Sequence, residues 1–205
     1  MKLAVNILAV CLSAGFMASV ALASSVNGDP NRGGELAARV CSPCHGMDGN
    51  SPVEEFPKLA GIDAYYLLKQ LKDFKKKQRE SPIMEPFAAA LSDKEMADVA
   101  VYFGEQKPAP GVVADASLLE AGKLIWQEGN SRSGVPACSG CHGENGEGDE
   151  YFPRLAGQHS KYVIAQLTQY REGRRTNDKN RMQAVARRMT QAEIEAATQY
   201  IASLQ

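Results

Sequence analysis

The residues with the most evident chemistry form a short pattern, Cys-x-x-Cys-His, that occurs twice in the chain. Its members are Cys41, Cys44 and His45 in the first copy and Cys138, Cys141 and His142 in the second. The pattern is the attachment signature of c-type haem, because two thiols at this spacing add to the two haem vinyl groups and the adjacent imidazole then lies under the iron. The sequence therefore predicts two covalently attached haem c groups, with His45 and His142 as axial iron ligands.

Two other chemistries use paired cysteines and must be weighed. A zinc ribbon places its two Cys-x-x-Cys pairs about 15 to 20 residues apart, whereas these pairs lie at an offset of 97 residues. A redox-active dithiol or disulfide of the thioredoxin type needs a strand–helix context, and the sequence shows no convincing strand pattern. Both alternatives are less favoured than haem.

The two patterns belong to a repeat that runs through most of the chain. Three blocks recur at an offset of 96 or 97 residues, namely 41–46 at 138–143, 56–61 at 152–157 and 66–71 at 162–167. Ordered self-similarity of this kind indicates two copies of one domain. A stretch with two prolines and a glycine, 106–111, interrupts the repeat and is typical of a linker. We therefore predict a first domain at 24–105, a linker at 106–115 and a second domain at 116–205.

Each predicted domain is helical. Apolar residues at helical spacing predict helices at 34–40, 63–77, 117–128 and 160–170. Ser92 and Thr190 are each followed three positions later by glutamate, which predicts the N-terminal caps of two further helices. The fold class is therefore all-α, with two tandem domains joined by a short proline-rich linker. Domains this small bury little surface of their own, and a large apolar cofactor would complete their cores.

The second axial ligand of each iron decides what the haem can do. Met84 and Met182 are the candidates, because they occupy equivalent positions of the repeat, each in a loop-like stretch downstream of the haem pattern. The third histidine, His159, has Asp63 as its counterpart and could serve only one haem, so we interpret it as a surface residue. Three other methionines are interpreted as packing residues, namely Met47, Met96 and Met189.

Two prolines are predicted to support the iron-ligating histidines. Pro57 and Pro153 follow those histidines by 12 and 11 residues, and a backbone carbonyl there could accept the free ring N–H and fix the ring orientation. A plain turn proline is the alternative. Histidine–methionine ligation raises the haem reduction potential and fills both axial positions. The predicted chemistry is the transfer of single electrons by a carrier that is not an enzyme.

The first 23 residues are predicted to be a signal peptide. Lys2 gives a positive start, an apolar run extends over 3–20, and 21–23 supplies a small-residue cleavage site. A retained membrane anchor is the alternative. Export agrees with the attachment of haem c outside the bacterial cytoplasm, so we predict a periplasmic protein. The formal net charge of −1 offers no basic excess for binding nucleic acid.

The pattern of residues around the predicted haem sites resembles that of the class I cytochromes c. In that family a small residue and an aromatic precede the haem pattern and pack against an aromatic on the last helix. The second half matches with Gly122 and Trp126, whereas the first half has Gly33 but Ala37 in place of the aromatic. The aromatics of the last helix are matched by Tyr102 and Tyr200.

The two-domain plan, the paired Phe-Pro-x-Leu-Ala-Gly blocks and the length look like the dihaem cytochrome c4 family. That resemblance implies a periplasmic carrier, often associated with the membrane surface, that passes electrons between respiratory complexes, for example from the cytochrome bc1 complex to a terminal oxidase. It also implies that the two domains face each other, with haem propionates near their interface.

Two other functions remain open from the sequence. An electron-transfer subunit of a larger periplasmic dehydrogenase would carry the same features. A dihaem peroxidase would need one iron with a vacant or displaceable ligand, and the equivalence of Met84 and Met182 argues against it. Basic residues cluster at 69–79 and 171–188. Solvated helix faces are the ordinary interpretation of such clusters, and docking surfaces near a haem edge are the alternative.

Overall fold

The computed structural model describes residues 26–205, so the predicted signal peptide lies outside the described residues. Five α-helices form each domain. In the first they are α1 Pro30–Leu36, α2 Ser42–His45, α3 Ala64–Lys75, α4 Met84–Ala90 and α5 Asp93–Gly104. In the second they are α6 Leu119–Gln127, α7 Ser139–His142, α8 Ser160–Arg171, α9 Arg181–Ala186 and α10 Gln191–Ser203. A π-helical turn, Ala37–Cys41, joins α1 to α2, and a 3₁₀ turn, Ala116–Leu118, precedes α6.

The predicted all-α class is confirmed. Within 26–205 the one β-type pairing is an isolated bridge between Asn130 and Val135. Both predicted helix caps are present, because the Ser92 and Thr190 side chains each accept the backbone N–H of the glutamate three residues on, and that glutamate bonds back to the cap. These reciprocal bonds satisfy amide groups that the first turn leaves without partners.

The structure contains four short helices that were not predicted from the sequence, α2, α4, α7 and α9, and two of them carry the candidate methionines. Helix α4 begins at Met84, and α9 begins one residue before Met182, so the expectation of loop positions for these methionines is wrong. The Met84 amide donates to Ser81 Oγ at 3.1 Å, and the Met182 amide donates to Asp178 Oδ2 at 2.6 Å. Both methionines are therefore fixed at the first turn of a helix.

The first and last helices of each domain cross at close range, and a glycine permits the approach. A Cβ atom on Gly122 would lie 2.1 Å from the carbonyl oxygen of Ala196 and 2.8 Å from the Cβ of Tyr200. Gly33 has the same relation to α5, where its Cβ would lie 2.2 Å from the carbonyl oxygen of Asp98. Gly33 and Gly122, the small residues that match the family pattern, thus allow backbone contact between the helices.

The segment between the domains is held to both of them. Lys58 Nζ of the first domain donates to the carbonyl oxygens of Ala109 at 3.1 Å and Pro110 at 2.7 Å. Gln199 Oε1 of α10 accepts two amide N–H groups at 114–115, at 2.8 and 3.1 Å. The polar backbone of the connecting segment therefore has partners on each side, which limits its freedom.

The helices described between residues 26 and 205 are all too short or too polar to cross a lipid bilayer.

Replacing Gly122 by alanine tests the helix crossing. We expect Gly122→Ala to lower the stability of the second domain by about 1–3 kcal/mol, because the added methyl forces two backbones apart. Thermal unfolding of the haem-loaded protein, followed by circular dichroism, measures the effect. Gly140→Ala is the matched control, since a Cβ there meets nothing within 4 Å and alanine favours helix by up to about 1 kcal/mol. Equal melting temperatures for the two variants would contradict the account.

Candidate haem-binding sites

Each predicted iron-ligating histidine closes a one-turn helix. His45 is the last residue of α2 and His142 the last of α7, and both are 6% exposed. The next residue, Gly46 or Gly143, has a positive φ of 77° or 86°, a conformation that glycine adopts without strain. The chain can therefore turn away immediately after the histidine, which leaves the imidazole pointing into the domain.

A proline carbonyl orients each imidazole. His45 Nδ1 lies 2.9 Å from the Pro57 oxygen, and His142 Nδ1 lies 3.0 Å from the Pro153 oxygen. Nδ1 must carry the proton to make this bond, so Nε2 is left with its lone pair, which is the form that binds a metal. The described structure brings together both histidine–proline pairs that the sequence analysis singled out.

The electrostatics of the histidines agree with this tautomer. Burial lowers the pKa of His45 and of His142, and the bonds to the proline carbonyls oppose that shift in part. The imidazoles are therefore neutral near pH 7. Within the described part of the chain, the buried Nε2 of His142 has no hydrogen-bond partner. A buried lone pair without a partner is costly, and an iron atom would satisfy it.

A phenylalanine from the same repeated block packs on each imidazole. The ring centres of Phe56 and His45 are 6.3 Å apart, and those of Phe152 and His142 are 6.1 Å apart. No role for these phenylalanines was predicted from the sequence. Their place beside the two prolines in a repeated block was the available signal. One short segment thus supplies both the carbonyl and the ring that hold each histidine.

The cysteines fit haem attachment better than the two alternatives. Burial, followed by the neighbouring cysteine, raises the pKa of Cys41 to about 11, and burial also raises that of Cys138 to about 11. Reactive dithiols need a lowered pKa. No group of three or more metal-binding side chains of the kind zinc requires occurs among the described residues. The four thiols, two buried histidines and small domain cores are the set that haem c needs.

Of the two candidate methionines, Met182 packs close to a cysteine of its haem pattern. Met182 and Cys138 pack against the same cluster of buried side chains in the second domain. Met84 is half-buried at the start of α4. The iron-ligand role of both methionines stays a prediction, and their equivalent placement supports it. Met96 and Met189 are buried in the cores, as packing residues would be, but Met47 is 55% exposed, so its interpretation as a packing residue is wrong.

The two domains use different aromatics for one hydrogen bond. In the second domain the Trp126 indole N–H donates to the Glu144 carbonyl at 2.9 Å. In the first domain the Tyr102 hydroxyl donates at 2.8 Å to the carbonyl of Met47, which is the repeat counterpart of Glu144. Ala37, which stands in place of the aromatic in the first domain, is fully buried. The loop after each predicted ligand histidine is thus fixed in both domains, although the first lacks the tryptophan.

The His159 ring forms no hydrogen bond with His45 or His142 in the described part of the chain. Its Nε2 lies 2.9 Å from the carbonyl oxygen of Ser51 in the first domain, and the side chain is half-buried. The expectation of a surface residue is therefore only partly right, because the ring bridges the two domains. The bond joins residues that are 108 positions apart, so local sequence patterns carry no signal for it.

Comparison with known proteins agrees with the site geometry. The family model described as "Cytochrome c" matches residues 119–205, and the model described as "Cytochrome C oxidase, cbb3-type, subunit III" matches residues 28–103. The chain is 45% identical over 175 residues to cytochrome c4 of Pseudomonas aeruginosa, with 83% of this chain and 87% of the relative covered.

Two further matches cover most of the chain. It is 42% identical over 178 residues to the thiosulfate dehydrogenase electron acceptor of Stutzerimonas stutzeri, with 84% of this chain and 82% of the relative covered. The crystal structure of reduced recombinant cytochrome c4 from Pseudomonas stutzeri superposes with a TM-score of 0.83 at 42% identity, covering 87% of this chain and all of that one.

Removing either candidate methionine tests the ligand assignment. We expect Met84→Ala and Met182→Ala each to abolish one of two methionine–iron signatures in the optical spectrum of the oxidised protein, because each thioether serves one iron. Met96→Leu is the control, since Met96 is fully buried in the first domain's core and a volume-conserving change there costs little. A variant that keeps both signatures would show that its methionine is not a ligand.

Proposed function

The chain belongs to the dihaem cytochrome c4 family, and on that premise we propose that it carries single electrons between protein partners in the periplasm. Its two covalently attached haem c groups supply the one-electron chemistry. The observation that carries the proposal is that both domains hold a buried neutral histidine against a proline carbonyl and place a methionine at the same repeat position. Neither domain is specialised for an open iron site.

The protein's own residues favour fast electron exchange with little rearrangement. The carbonyls of Pro57 and Pro153 keep each imidazole in one orientation whichever redox state is present. Burial of His45 and His142 excludes water from the ligand side. A site that changes little between redox states suits a carrier, whereas a peroxidase needs a ligand that leaves.

The partners are proposed from the resemblance. The family and the likeness of the first domain to an oxidase subunit support a path from the cytochrome bc1 complex to a terminal oxidase, with the protein exported and associated peripherally with the membrane. A second candidate is an electron acceptor for a periplasmic dehydrogenase. The 42% identity to a thiosulfate dehydrogenase electron acceptor specifically favours it. In both cases the chemistry of this chain is the same.

The two domains offer partners different surfaces around their methionines. The second domain has exposed cations at Lys179, Arg181 and Arg187. The equivalent residues of the first domain are uncharged: Ser81, Ile83 and Ala89. Ile83 and the nearby Phe87 are 53% and 43% exposed. The first domain thus presents an apolar surface, flanked by Glu80 and Glu85, where the second presents a basic one.

We propose that these surfaces select different partners. The basic surface around Met182 attracts a partner with an acidic docking face, because opposite charge increases the rate of encounter. The apolar surface around Met84 suits a partner that docks with little help from charge. Two unlike docking faces on one carrier would let a donor and an acceptor approach opposite domains.

Carbon monoxide tests whether both irons are coordinatively full. We expect no change in the optical spectrum when the gas is added to the reduced protein at neutral pH, because both axial positions are taken. Met84→Ala is the matched control and should bind the gas at one haem. A carbon monoxide complex in the unaltered protein would favour the peroxidase and count against the carrier.

Neutralising the basic surface tests the docking proposal. We expect Lys179→Ser/Arg181→Ile/Arg187→Ala, which copies the first domain, to slow oxidation by anionic ferricyanide about tenfold at low ionic strength, because attraction to the haem edge is lost. Stopped-flow rates across a salt series measure the change, and the salt dependence should flatten. Arg188 is kept because it bonds to the Gly134 carbonyl.

The control removes the same number of charges elsewhere. Lys76→Ser/Lys107→Ser/Lys123→Ala changes three exposed lysines that lie outside the Met182 segment, and its rate with ferricyanide should stay within about twofold of the unaltered protein, since exposed charges at a distance are screened. If both triple variants slow equally, net charge and not a docking surface governs the rate.

A further inference from the structure

Two arginines from different domains meet in the interior of the molecule. Arg79 and Arg175 are 9% and 5% exposed. Arg79 donates from Nη1 to Gln70 Oε1 at 2.9 Å and from Nη2 to Gln166 Oε1 at 2.8 Å. Arg175 donates from Nη1 to Gln166 Oε1 at 2.7 Å and from Nη2 to Gln70 Oε1 at 3.4 Å. Each glutamine oxygen is thus shared by both guanidinium groups.

The arginines also cross over to tyrosines of the opposite domain. Arg79 Nη2 donates to the hydroxyl of Tyr162 at 2.9 Å, and Arg175 Nη2 donates to the hydroxyl of Tyr66 at 3.0 Å. We call these two arginines, two glutamines and two tyrosines the arginine cluster. Its three residue pairs, 66 and 162, 70 and 166, 79 and 175, all share the offset of 96. The cluster therefore has an internal two-fold arrangement.

The positive charge of the cluster is not balanced by the described residues. Between residues 26 and 205, neither Arg79 nor Arg175 forms an ion pair with a carboxylate within 4.0 Å. The nearby Asp73 is paired with Lys69 at 2.6 Å. Two buried like charges without an anion are unfavourable, so the arrangement calls for negative groups.

The cluster also contains hydroxyl groups that are free to donate a hydrogen bond. Both tyrosine hydroxyls accept a hydrogen bond from an arginine, and neither donates its own proton to an acceptor in the described part of the chain. Burial raises the pKa of the Tyr162 hydroxyl, but the two guanidinium groups outweigh burial and lower it overall. A carboxylate would accept from the hydroxyls and the arginines together.

The tyrosines connect the cluster to the haem sites. Tyr66 packs against the buried core of the first domain together with Cys41, and Tyr162 packs against that of the second together with Cys138 and Met182. Each tyrosine ring thus lies in its own haem-binding core while its hydroxyl lies in the cluster. Each core is linked in this way to the arginine of the other domain.

We propose that Arg79 and Arg175 are crossed positioning residues, each of which sets the reduction potential of the haem in the opposite domain and holds the two domains together. The proposal deepens the carrier function, since it assigns the control of its two potentials. The haem carboxylates are the anions that fit the cluster. A positive charge disfavours the ferric state, so loss of either arginine should lower a potential.

The experiment follows one haem at a time. In a Met182→His background, loss of the methionine ligand moves the second haem to a lower potential, and the remaining high-potential wave belongs to the first domain. We expect Arg175→Gln to lower the equilibrium constant for reduction of that haem by about tenfold, as a charge lost at short range in a buried site would. The mirror pair, Arg79→Gln in a Met84→His background, should behave alike. Optical redox titration measures both.

The control is an adjacent exposed arginine. Arg174 pairs with Glu172 at the surface, and Arg174→Gln should change the same equilibrium constant by less than about twofold, because solvent screens it. If Arg175→Gln has no greater effect than Arg174→Gln, or alters only the haem of its own domain, the proposal is overturned. A haem potential can fail to move while electron transfer to partners persists, so this outcome is distinct from failure of the carrier function.

Conservative variants separate charge from geometry. Arg79→Lys/Arg175→Lys keeps the charge but loses the fork that bridges the two glutamines. We expect potentials near those of the unaltered protein, because other bonds between the domains, from His159 to Ser51 and from Gln158 to Lys58, keep the lysines near the opposite domain. Loss of the bridge between the two glutamines should speed amide hydrogen exchange at the interface. If exchange there is unchanged in this double variant, the arginines do not hold the domains together and that half of the proposal fails.

Discussion

The hydrogen bond from each predicted ligand histidine to a proline carbonyl is the interaction on which the rest of each domain depends. It fixes the proton on Nδ1 and so leaves the lone pair of Nε2 available to bind a metal. To make that bond the chain must end a helix at the histidine and turn sharply, which explains the positive φ of Gly46 and Gly143. It must also return eleven or twelve residues later with a proline in place, and the intervening loop is anchored by an aromatic hydrogen bond in both domains.

The two domains share the contacts that hold the histidine but differ in the aromatic that anchors the loop after it. The contacts that touch the histidines are the same in both, with distances of 2.9 and 3.0 Å to the proline oxygens. The aromatic that donates to the following loop differs: in the first domain it is Tyr102 on the last helix, and in the second domain it is Trp126 on the first helix. The requirement is a donor at that carbonyl, and two side chains from different helices satisfy it.

The sequence predicted the features that depend on short spacing. The haem patterns, the capping residues Ser92 and Thr190 and the helical class follow from residues within a turn or two of each other, and the two prolines follow from a block that recurs 11 or 12 residues after each histidine. The helices at Met84 and Met182 were missed because the residues whose side chains accept the two methionine amides, Ser81 and Asp178, lie in stretches with no apolar periodicity. The arginine cluster and the bond of His159 could not be predicted, because they join residues about 100 positions apart through side chains that look like ordinary surface polar groups in the sequence.

The two domains share the contacts to their histidines but differ at the surface around their methionines. Equal haem environments alone would give a carrier no preferred direction for its electrons. The cations at Lys179, Arg181 and Arg187 have uncharged residues at the equivalent positions of the first domain. The two ends of the molecule therefore differ in charge, which is the basis of the proposed choice between partners. The shared arginine cluster is symmetric instead, because its two-fold arrangement joins each tyrosine to the arginine of the other domain. The proposed docking faces therefore distinguish the two ends of the molecule, whereas the cluster at the interface treats the two domains alike.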